Sequence, residues 1–176
     1  PEKYLEGENF MLVDSIPLNS SDWNPVKTER FGEHFIRVML SRHIPQDDAV
    51  KAAEGWQGDN FTYYRNEENH LFTWKIVWDT ERDSIEFFDS FVQMMYAVDA
   101  DQIHPGSGCS SNNTVKWKAG NQYISLVRSQ STTVITGSTE PNWCPPTSYI
   151  RSSITLQAQS LSSWNVCEAV LRIREN

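Results

Sequence analysis

Between Ala52 and Tyr64 the chain reads AAEGWQGDNFTYY, two glycines and a tryptophan leading to an aspartate and then to an aromatic run. A carboxylate so placed could act as an acid or base, ligate a cation, or tie down a turn. No G-x-x-x-x-G-K-[ST] or G-x-G-x-x-G frame surrounds it, so the glycines do not form a phosphate cradle. No D-x-D-x-D-G series supplies the spaced oxygens of a calcium loop. The reading that remains is a turn. Gly55 stops a helix, Gly58 turns the chain, Trp56 packs on the strands that follow, and Asp59 accepts backbone N–H groups as turn aspartates do. The aromatic set Trp56, Tyr63, Tyr64, Trp74 and Trp78 has two readings: a groove for carbohydrate or peptide, or the core of a sheet.

Other chemistry-bearing residues form no set. His34 and His43 are nine residues apart and point from different sides of one helix, so they are not the i, i+4 pair of a zinc helix, and no HExxH is present. One histidine, His104, and one cysteine, Cys109, are too few for a closed zinc site. There is no G-x-S-x-G elbow. Glu67 and Glu68 fall in a turn, and Glu81, Asp83 and Glu86 at a helix start, where capping and a solvated surface account for them. No catalytic residue, metal ligand or cofactor is therefore expected from this chain alone. The cysteines are Cys109, Cys144 and Cys167. Cys109 and Cys144 lie in loops flanking a strand region and are the first candidates for a disulfide, with free buried thiols as the alternative. Sequons occur at Asn19, Asn60 and Asn112. Together these features favour an extracellular or cell-surface protein.

The 176 residues suffice for one well-cored domain. A net charge of -8 with a pI near 4.9 leaves no basic footprint for nucleic acid or an anionic membrane. No apolar run is long enough to span a bilayer.

Periodicity supplies the elements. Residues 1–26 read as an irregular lead-in and 27–176 as one domain, with a helix–hairpin–helix half to residue 100 and a strand-rich half beyond. Phe31, Phe35, Val38 and Met39 have helical spacing from Thr28 to His43, and Pro45 ends that helix. Gln46 to Glu54 is a second helix. Asn60 to Arg65 and Leu71 to Trp78 make a hairpin, with Phe72, Trp74, Ile76 and Trp78 on one face. Thr80 and Asp83 cap a third helix, whose expected buried stripe is Ile85, Phe88, Phe91 or Val92, and Met95. After a loop come strands at 115–118, 122–128 and 132–136, then at 149–157 and 166–173. The fold class is α+β, a mostly antiparallel sheet with helices packed on one face.

Three stretches, PEKYLEGE (Pro1 to Glu8), AAEGWQGDNFTYYR (Ala52 to Arg65) and WKIVWDTERDSIEFF (Trp74 to Phe88), with FGEHFIRVML between the first two, form a familiar series. It resembles the C-terminal region of secreted or surface-anchored prokaryotic proteins, haloarchaeal ones included, that are similar to zinc metallopeptidases. Their shared positions correspond to Gly32-Glu33, to Gly55 through Asp59, and to Trp78-Asp79-Thr80 with Asp83, Glu86 and Phe87. The resemblance covers about residues 1–98. It implies that an HExxH-like helix and a Ser-Thr-Glu-Gln-x-x-His segment lie before Pro1, that no catalytic residue of the family has a counterpart here, and that the parent is cleaved near Pro1. The expected role is a non-catalytic extracellular accessory or structural domain. Its partners would be the N-terminal remainder of its own precursor or other cell-surface proteins. The alternatives are part of a zinc-dependent hydrolase completed upstream or by another chain, and a module that binds carbohydrate or peptide.

Overall fold

A computed structural model of the chain describes residues 10–18, 23–66, 69–103 and 113–140. Seven strands form one antiparallel sheet. They are β1 (Asn24–Glu29), β2 (Trp56–Arg65), β3 (His70–Trp78), β4 (Asp101–Ile103), β5 (Thr114–Ala119), β6 (Gln122–Ser129) and β7 (Thr132–Ser138), in the order β1-β2-β3-β7-β6-β5-β4. Helices α1 (Gly32–Ser41), α2 (Gln46–Ala53) and α3 (Glu81–Ala97) pack on one face. The α+β class with a mostly antiparallel sheet is therefore what this sequence folds into.

The period of two in β3 fixes which face the helices cover. Trp74, Ile76 and Trp78 point into a core completed by Ile36, Leu40, Phe87, Met94, Trp117 and Ile135. A buried tryptophan removes about 200 Å² from water, so each contributes about 5 kcal/mol of transfer free energy before its ordering cost. That weight makes the tryptophans the core and not its lining. The opposite face of β3 is also closed, with Leu71, Thr73, Lys75 and Val77 all buried. Residues 10–18 run over that side as a strap. The Met11 N–H donates to the Gln57 carbonyl at 2.7 Å, and the Tyr64 hydroxyl donates to the Ile16 carbonyl at 2.9 Å. Ile16 seals against Val127 and Val134.

Several expectations shift. The segment read as lead-in and helix start, Asn24 to Glu29, is a strand, and α1 begins only at Gly32, whose φ of +79° ends the extended run. The buried stripe of α1 is Ile36, Met39 and Leu40, so Val38 turns away from the centre. In α3 the buried stripe is Ser84, Phe87, Phe91, Met94 and Met95, and Ile85 is exposed. The capping box at Thr80 and Asp83 holds as expected. The stripe is rotated because Ser84 faces the sheet, where its hydroxyl donates to the Gln130 carbonyl at 2.5 Å. Asp101 to Ile103, read as loop, forms the short edge strand β4. The strands expected at 149–157 and 166–173 lie outside the described residues.

Gly58 does not turn the chain. It lies inside β2 at a register shift between Trp56 and Gly58, and the strand starts at Trp56 instead of Asn60. What requires glycine there is the strap, because a Cβ would stand 2.2 Å from the Met11 carbonyl oxygen. A contact with backbone cannot be relieved by a rotamer change. Gly58→Ala should therefore cost about 2 kcal/mol and loosen residues 10–18 selectively. Hydrogen exchange of the Met11 amide, compared with amides of β6, checks it; unchanged protection at Met11 would refute the strap contact.

Candidate functional site

Asp59 is 1% exposed, and both carboxylate oxygens are fully used. Oδ2 accepts the Phe31 N–H at 2.9 Å and the Trp74 indole N–H at 2.9 Å. Oδ1 accepts the Gly32 N–H at 3.0 Å and the Trp56 indole N–H at 3.0 Å. Phe31 and Gly32 are the N-cap and first residue of α1, and no side chain from the helix's own N-cap serves that end. Asp59 caps a helix that begins twenty-seven residues earlier in the chain. It binds N–H groups as expected, but of a distant helix and two indoles rather than of its own turn.

Burial pushes the Asp59 carboxyl above its ordinary value, while the Phe31 N–H, the Trp74 indole, the Gly32 N–H and the Trp56 indole pull it back down. The net direction is upward. Geometry nonetheless favours the carboxylate, because all four partners can only donate, and a proton on either oxygen would face a donor.

The other sequence candidates take structural places. Trp56, Trp74 and Trp78 are at most 3% exposed, which rules them out as the wall of an open groove. Trp78 donates its indole N–H to the Thr133 hydroxyl at 3.0 Å and lies 4.9 Å from the Phe87 ring. Tyr64 is buried beneath the strap, and Tyr63 is half-buried with its hydroxyl on His70. Asn60 is half-buried in mid-strand, its amide oxygen accepting the Thr62 hydroxyl at 2.9 Å. Asn19, Asn112, Cys109 and Cys144 lie outside the described residues. Among the described residues no three His, Cys, Asp or Glu side chains cluster as a metal site, and no helix is long and apolar enough to cross a membrane.

Sequence reasoning passed over the back of the sheet. One row across the strands sets Thr28, Thr62, Thr73, Thr136, Ser125 and Lys116 side by side. Thr62, Thr73, Thr136, Ser125 and Lys116 are buried. Lys75, in the neighbouring row, is 6% exposed. Burial pulls its ammonium below the ordinary lysine value, and Asp14 on the strap partly restores it. The signal was present in the alternation of β3, where Thr73 and Lys75 occupy the face opposite the tryptophans.

Residues 22–142 match the family described as Domain of unknown function (DUF8575). The chain belongs to that family. Both the Asp59 cluster and the hydroxyl row lie inside the matched region of this DUF8575 domain. No curated protein matches the chain. The extracellular domain of PknH from Mycobacterium tuberculosis is similar in structure, with a TM-score of 0.44 and 11% identity, covering 68% of this chain and 75% of that one.

Two outcomes follow for the DUF8575 domain. Asp59→Asn keeps the shape but sets an amide NH2 against N–H donors, so chemical denaturation should show a loss of about 3 kcal/mol. A loss below about 0.5 kcal/mol would mean that the native carboxyl is protonated. Lys75 has a lowered folded value, so between that value and the ordinary value of about 10.4 the unfolded chain holds more protons. Stability carried by Lys75 must rise with pH through that window. Lys75→Met should remove this rise and stabilise the protein at pH 7 by about 1 kcal/mol, seen in urea midpoints across pH.

Proposed function

We propose that this DUF8575 domain is a non-catalytic accessory or structural domain working outside the cell. The observation that carries the first half is the saturation of Asp59. The one carboxylate whose sequence surroundings resemble a catalytic site is buried, accepts four N–H bonds, and has no lone pair placed for a substrate. The extracellular half is supported by the sequons and the loop cysteines of the sequence, and by an acidic charge balance that suits neither nucleic acid nor an anionic membrane.

The parent protein is, on this reading, of the metallopeptidase-like surface type, supported by the PEKY, GWQGD and WDTERD series. In that setting the domain docks or braces a neighbour rather than reacting. Protease added to intact source cells should digest the domain, whereas full protection until lysis would overturn the extracellular placement. Zinc analysis of the full-length parent separates the readings of its upstream region. Bound zinc that Asp59→Asn leaves in place, with peptidase activity intact, fits an accessory role for this part; activity lost at unchanged fold and zinc content would make the domain part of the enzyme.

A further inference from the structure

On the back of the sheet, at the β5 side, Lys116 is 6% exposed. Its neighbours in the row are Ser125 on β6 and Ile103 on β4. Among the described residues no carboxylate and no hydrogen-bond acceptor meets its ammonium, and its nitrogen is not one of the sealed, unsatisfied atoms, so it retains an opening. This sets it apart from Lys75, whose charge is answered by Asp14. Three strand spacings and one row, about 16 Å in all, separate the two lysines. Lys118 lies about 7 Å further along β5 on the same face, with Asp101 opposite it in the register. Burial alone pulls the Lys116 ammonium below the ordinary value.

The hydroxyls beside Lys116 have the matching deficit. Ser125 and Thr136 are 2.6 Å apart and share one hydrogen between them. A pair of hydroxyls has two hydrogens, so one remains to donate. Among the described residues it has no acceptor in hydrogen-bond range. The Lys116 ammonium reached through that opening and the spare hydroxyl donor beside it are met together by an acceptor bearing negative charge and several lone pairs. On a chain of net charge -8 this basic corner, with Lys118 beside it, stands out against its surroundings.

We propose that the corner formed by Lys116, Ser125 and Thr136 binds an oxyanion, a carboxylate or a phosphate group of a ligand. Lys116 supplies the charge and the hydroxyl pair supplies a directed hydrogen bond. The site goes beyond the accessory role proposed above and does not depend on it.

The test is titration of the full chain with inorganic phosphate and, separately, with acetate, at fixed pH and at ionic strength held constant with chloride. Thermal unfolding and calorimetry give the readouts. One of the two anions should raise the unfolding midpoint above the chloride reference, and the anion that does so names the chemistry. Lys116→Met, which removes a buried unpaired charge, should fold at least as stably as wild type and bind that anion about tenfold or more weakly. Ser125→Ala should weaken binding with Lys116 intact, and Lys75→Met should leave it unchanged. If neither anion exceeds chloride, or if Lys116→Met and Ser125→Ala bind as wild type does, the site does not exist. A Lys75→Met variant that loses binding would place the anion elsewhere on the face and overturn the assignment equally.

Discussion

A helix cannot end inside a protein with its first N–H groups unpaired, and an indole cannot be buried with its N–H unanswered. Asp59 resolves both demands at one point. Its two oxygens join the start of α1 to Trp56 at the beginning of β2 and to Trp74 in the middle of β3. Helix α1 thereby meets the sheet in one orientation, because four donors from three places must converge on one carboxylate. The cost of desolvating that charge is considerable. It is offset by donors that would themselves be orphaned without it, so the removal of one partner leaves several groups unsatisfied.

The geometry around Asp59 explains the glycines that accompany it. Gly55 adopts φ +73° and lies so close to Asp83 that a Cβ would stand 2.4 Å from its carboxylate oxygen. Its carbonyl accepts the Asp79 N–H at 2.7 Å, tying the α2–β2 corner to the end of β3. The Asp83 carboxylate meanwhile completes the capping box of α3. The G-W-x-G-D stretch and the W-D-T-x-x-D stretch are therefore two halves of one corner. Gly55 meets Asp83, Trp56 pairs with Trp78, and Asp59 holds Trp74, so each stretch is built against the other.

Local pattern made much of this legible. The β3 alternation, the Thr80 cap and the three strands after residue 113 all follow from spacing and capping chemistry, and they are enough to give the α+β class. What escaped were features set by distant partners. The strand at Asn24 to Glu29 is mostly exposed and carries Pro25, Lys27 and Glu29, so no hydrophobic alternation announces it; only its pairing with β2 makes it a strand. The Asp59 donors at Phe31 and Gly32 lie far upstream, and no sequence rule connects a strand aspartate to a helix it does not precede. The rotation of the α3 stripe depended on Ser84 finding a carbonyl at the β6–β7 turn.

The two faces of the sheet divide the labour differently. On the helix side nearly every polar atom is consumed: three of the four core indoles have acceptors, and Trp117 alone keeps a buried N–H without one among the described residues. The Asp59 cluster spends its donors and acceptors on itself, however site-like its residues look in sequence. On the other face the hydroxyls run in a row, and among the described residues no carboxylate meets Lys116. Buried polar groups with spare capacity reduce stability, so their presence behind the sheet asks for a reason that packing does not supply. The ordinary-looking V-K-W-K strand therefore carries the oxyanion site proposed above, while the conspicuous G-W-Q-G-D spends its polar atoms on holding α1 to the sheet.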